Sequence, residues 1–143
     1  MIYTAIVKRS DINDYDGSIT LGFEAGTLPF YYQAPENFAR EYLAVGSIIP
    51  VDLWLGLAEF IKFPPKFTPF LPFETYPTDG RVGGQIERLL SPETFRMNCG
   101  ALRLDVQLHH AVPYPVGTNV IMEGSRQVFF PGTEWDYDQV GCV

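Results

Sequence analysis

Polar and apolar residues alternate with a period of two along much of this chain, the spacing of strands with one face buried. Leu102, Leu104, Val106 and Leu108 fall on one side, and Arg103, Asp105, Gln107 and His109 on the other. Just upstream, Phe95, Met97 and Cys99 oppose Arg96 and Asn98. Val51, Leu53, Leu55 and Leu57 alternate with Asp52, Trp54, Gly56 and Ala58, which predicts a long strand bent at Gly56. Shorter β-prone runs cover residues 2–8, 18–23, 28–32, 84–90 and 119–130. Asp16-Gly17, Thr78-Asp79-Gly80, Ser91-Pro92-Glu93-Thr94 and Pro131-Gly132 supply turns between them. One short helix is expected near 35–43. Pro35 stands in its first turn, Glu36 can pair with Arg40, Phe38 and Tyr42 share a face, and Gly46 can end it.

Residues 63–77 break this rhythm. Five prolines remove backbone donors and forbid a regular helix, yet four phenylalanines, a leucine and a tyrosine are too apolar to lie free in water. The stretch reads as a strap pinned to a strand surface, and the Trp54 side of the long strand is the surface expected to receive it.

Three landmarks recur in the same order. Residues 5–9 resemble 85–88, residues 19–22 resemble 97–100, and Val45-Gly46-Ser47 resembles Val116-Gly117-Thr118, at offsets of 80, 78 and 71. The expected fold is therefore mainly β, an antiparallel small barrel that is OB-like or of a related kind, with one helix near 35–43; the recurrence marks two candidate β halves, against the simpler reading that short β segments resemble one another by chance. A β-sandwich is the alternative. The expected organisation is one β domain over 1–132, its halves 1–63 and 81–132 joined by the strap, and an acidic tail over 133–143.

With 143 residues and 19% charged positions the chain is suited to a packed core. Its net charge is −7, which disfavours non-specific nucleic-acid binding. Residues 1–7 are too short for a secretory segment, and residues 48–63 are interrupted by Pro50, Asp52 and Glu59, so no bilayer span is expected. Two cysteines, Cys99 and Cys142, do not make a disulfide framework, and both are expected to be reduced in a cytoplasmic protein.

Chemical motifs are few. The acidic cluster at 11–16 fails as a calcium loop, because the sixth and twelfth positions hold Asp16 and Gly22. His109 and His110 are adjacent and would point to opposite faces of a regular strand, so a shared metal is not expected. Cys99 lies on an apolar stripe, where a thiol is a small buried hydrophobe. No phosphate loop or nucleophile elbow is present. No catalytic residue, metal or cofactor is assigned.

Two candidate surfaces follow. The polar row Arg96, Asn98, Arg103, Asp105, Gln107 and His109 is either the solvent side of a sheet or a ligand groove. Trp54, Phe67, Phe70 and Phe73 form a candidate interface. The expected function is a non-catalytic binding or assembly module with a protein partner or a second copy of the chain. OB-type binding of single-stranded nucleic acid or oligosaccharide is the first alternative, and a small enzyme using a metal or Cys99 with His109 is the second.

Overall fold

A computed structural model describes residues 1–74 and 78–136. Cys142, the tail from 137 onward and strap residues Thr75, Tyr76 and Pro77 lie outside the described residues. The alternating segments all become strands: β1 (Ile2–Ile12), β2 (Asp16–Phe23), β3 (Gly26–Gln33), β4 (Ile48–Lys62), β5 (Asp79–Ser91), β6 (Thr94–Asn98), β7 (Arg103–Gln107) and β8 (Asn119–Phe129). Helix α1 (Glu36–Tyr42) starts after Pro35 and carries the expected Glu36–Arg40 pair at 2.6 Å. It ends at Leu43, so Gly46 belongs to a later turn. The protein is mainly β with this one short helix among the described residues.

All eight strands join one hydrogen-bonded order, β1-β2-β3-β8-β4-β7-β6-β5, with added pairings of β1 with β4 and of β8 with β5. Two separate facing sheets, as a sandwich requires, are not what the strands form. The chain clusters into two units whose boundaries fall inside strands. The first contains Ile2–Leu53, Phe73–Thr78 and Gln127–Val143; the second contains Met1, Trp54–Pro72 and Asp79–Arg126.

In the first unit β1 pairs antiparallel with β2 and with the start of β4, β2 pairs antiparallel with β3, and β3 meets the end of β8 in parallel at Tyr31–Gln127. In the second unit β5 pairs antiparallel with β6 and β8, β6 with β7, and β7 runs parallel to the end of β4 at Leu55–Val106. The pattern is the same in both, a five-stranded Greek-key order of the kind expected for the OB type. Each half supplies four strands to its own unit, and the fifth is the continuation of the other half's last strand.

The register repeats as well. Ile6 pairs with Gly22 and Ile48, as Gln85 pairs with Asn98 and Asn119. The first strand of each unit slips by one residue at the matching place, Lys8 and Glu87. The lead-in to the fourth strand is made by the same bonds: Gly46 N–H to Val7 O and Gly117 N–H to Ile86 O, both 2.8 Å. Gly46 and Gly117 hold φ at 94° and 95°, a left-handed conformation that favours glycine. The offsets are thus 79, 76 and 71, which corrects the first two sequence values of 80 and 78. The second half loses three residues in its first hairpin and five where the first half carries α1.

Core positions correspond: Val7 and Ile86, Ile19 and Phe95, Leu21 and Met97, Leu28 and Leu104, Val51 and Met122 are all fully buried. The bend expected at Gly56 falls one residue later. Leu57 takes φ 52° and turns its side chain outward, 66% exposed, while Gly56 stays buried.

Candidate functional site

The strap is pinned by its backbone and open at its rings. Phe70 and Gly83 exchange two backbone hydrogen bonds of 2.9 Å, an isolated antiparallel bridge onto β5. Gly83 is required there, since a Cβ would lie 2.7 Å from the Thr68 carbonyl oxygen. Pro69 packs over Gly100, where a Cβ would meet the ring at 3.0 Å. Leu71 turns inward and is 8% exposed, whereas Phe63, Phe67 and Phe70 remain 47%, 42% and 51% exposed. Phe63 also closes an aromatic cluster with Phe60 and Tyr114, at ring distances of 5.8 and 4.6 Å. In the first unit the strap's last described residues are held separately, with Glu74 N–H donating to Thr27 O at 2.8 Å and Phe73 lying against Gly26. Trp54 is 7% exposed.

Lys62 and Lys66 precede Phe63 and Phe67 in the chain, both are exposed, and the sequence holds no acid between Glu59 and Glu74. On a chain of net charge −7 this stretch is locally basic and apolar in sequence.

The polar row forms as cross-strand pairs on β6 and β7: Arg96 opposite Asp105, Asn98 opposite Arg103, and Thr94 opposite Gln107. Its charges are engaged with one another. Asp105, 3% exposed, accepts from Arg96 Nε at 2.9 Å and from the Met1 amino nitrogen at 3.1 Å. Arg103 pairs with Glu87 at 3.3 Å, Asn98 Oδ1 caps Gly100 N–H at 2.9 Å, and Gln85 bonds Asn119 at 3.1 Å. Gln107 Nε2 donates to Leu108 O. His109 lies beyond β7, which ends at Gln107, and both histidines are exposed in the following bend.

Cys99 is 3% exposed, and burial pushes its thiol up to about 12, with Arg103 acting weakly the other way. A thiol held protonated at neutral pH is a poor nucleophile. Among the described residues no three histidines, cysteines or carboxylates gather in metal-binding geometry, and no helix is long and apolar enough to cross a membrane.

Two buried polar groups carried no sequence signal. Arg126 is fully buried, and burial lowers its guanidinium's affinity for the proton while Asp79 raises it. Its register equivalent, Leu55, is an ordinary core residue. Tyr32 is also buried, its hydroxyl without a hydrogen-bond partner among the described residues and its pKa raised to about 12, first by burial and then by Asp16 and Asp11. Both lie on strands that alternate normally, so period alone marks them as interior and says nothing of their polarity.

No protein-family model matches the chain, and no curated protein is significantly similar to it.

Proposed function

We propose that the protein is a non-catalytic assembly module that recognises a protein partner through the strap-borne rings of Phe63, Phe67 and Phe70. The observation that carries this reading is a strap backbone fixed at Pro69 and Phe70 by Gly100 and Gly83, in a segment whose Phe63, Phe67 and Phe70 stay half-exposed. Prolines and the bridge stiffen the strap before contact, which lowers the ordering cost of binding. Lys62 and Lys66 select a partner surface that is apolar and acidic.

Magnitudes limit what the strap does alone. Full burial of a phenylalanine is worth about 1.5–3 kcal/mol, and these rings have roughly half of that left to gain. Three rings therefore contribute roughly 2–5 kcal/mol, against an association cost of about 4–15 kcal/mol. The strap acts as the anchor of a wider contact. A buried, reduced Cys99 suits a reducing compartment, and we place the protein in the cytoplasm.

The OB-type ligand face is the weaker reading, because Arg96 and Arg103 already meet carboxylates. The test is a photo-crosslinking phenylalanine analogue at position 67 or 70, activated in cells that make the protein natively. A discrete protein adduct from both positions, absent from the exposed control Tyr15 and weakened by Lys66→Glu, is expected. Adduct yields no higher than at Tyr15 would refute the assignment.

A further inference from the structure

The two units place different chemistry at the same outward positions. In the second unit the row across the first, second and fourth strands is Asn119, Gln85 and Asn98, hydrogen-bonded and polar. In the first unit the matching row is Ile48, Ile6 and Gly22. The fold therefore accepts polar side chains there, and its own repeat proves it. Yet Ile48 is 70% exposed, and Ile2, two strand positions before Thr4 on the same face as Ile6, is 62% exposed. Ile48, with the half-buried Ile6, lines a groove of about 470 Å³ that also takes in Ala5, Gly22, Lys8 and Glu24; Ile2 lies outside it. Lys8 has its own contrast: its equivalent, Glu87, is paired with Arg103, whereas Thr27 stands at the position matching Arg103.

We infer that this groove is an isologous contact with a second copy of the chain. A two-fold interface brings each patch onto itself, so a patch that carries charges of both signs beside apolar residues can pair them across the axis. Ile6 and Ile48 supply the apolar residues, and Lys8 and Glu24 the charges. Lys8 of one protomer then meets Glu24 of its partner, twice over. A partner of one dominant charge would leave one of these two charges opposed, and that selects a second copy over an unrelated acidic or basic protein. The inference uses none of the strap rings Phe63, Phe67 and Phe70, although strap residues Phe73 and Glu74 meet Gly26 and Thr27 at the edge of the groove.

Sedimentation velocity on the full chain tests it. The wild type is expected to dimerise in the micromolar range. The double variant Ile6→Gln, Ile48→Asn, which installs the residues of the other unit, is expected to be a monomer with an unchanged far-ultraviolet spectrum. Lys8→Glu alone is expected to weaken the dimer about tenfold or more, and Lys8→Glu with Glu24→Lys to restore it. The charge exchange keeps the test decisive should the isoleucine variant fold poorly. Phe67→Ser with Phe70→Ser should leave the dimer intact. A wild type that stays monomeric at high micromolar concentration, a charge exchange that fails to restore association, or a dimer lost only in the strap variant overturns the inference.

Discussion

Cys99 and Tyr32 ionise only by placing a charge in an apolar interior, and this couples folding to alkaline pH. Both groups hold their protons more tightly folded than unfolded. The contribution of these two groups to stability is therefore fully present below pH 9, the ordinary thiol value, and falls as the pH rises towards about 12. Each group contributes a slope of about 1.4 kcal/mol per pH unit between its unfolded and folded values. Urea melts at a series of alkaline pH values should show this decline, and Cys99→Ala should remove the part that begins near 9. The Cys99 thiol should also resist alkylation in the native protein and react once it is unfolded. Tyr32→Phe removes a buried hydroxyl that has no hydrogen-bond partner among the described residues. Its expected effect is no loss, or a gain of up to about 1 kcal/mol, and a clear destabilisation would show that the hydroxyl is satisfied. Asp105→Asn is the opposite case. It leaves the largely buried Arg96 guanidinium facing no carboxylate at that position, at an expected cost of about 3 kcal/mol, whereas a surface pair would cost under 1.

Strand β5 receives the strap through one glycine, so the element-scale prediction concerns Gly83. Gly83→Val puts carbon into the Thr68 carbonyl and should detach the bridge at Phe70, destabilising the protein by about 1–3 kcal/mol. The same scale explains what was legible beforehand. The Val-Gly-Ser/Thr lead-ins at 45–47 and 116–118 stood out because a left-handed turn restricts the residue that makes it. The hairpin alignment was two residues off, 78 against 76, because strand alternation has a period of two and an even slip keeps every side chain on its face. The first strands were misaligned by one because slips at Lys8 and Glu87 interrupt that alternation. The polar row was readable from its period, but not its internal pairing: Asp105 is buried partly by the amino group of Met1, 104 positions away. Likewise, the strap's aromatic content predicted attachment, yet the anchor turned out to be its backbone on β5. Which side of a pinned segment faces inward depends on hydrogen bonds that composition does not encode.

At the scale of the whole molecule, strands β4 and β8 each serve both units, which makes independent unfolding costly. Leu28 and Leu104 occupy the same register position in the two units, and both are fully buried. Leu28→Ala and Leu104→Ala should each cost about 2–5 kcal/mol and lower one common transition. Calorimetry showing two transitions, each moved by only one of the substitutions, would mean that the shared strands do not couple the units. The repeat also separates roles. The second unit carries the paired polar row and strap residues 63–72, while the first carries the groove lined by Ile6 and Ile48.

Recognition by the strap requires a fixed backbone under exposed rings, and native-state hydrogen exchange reads this directly. The amides of Phe70 and Gly83, each donating to the other residue's carbonyl oxygen across the bridge, should exchange as slowly as strand amides such as Ile86. A Phe70 amide exchanging at the rate of an unstructured chain would mean the strap is not held, and the assembly surface built on it would not exist.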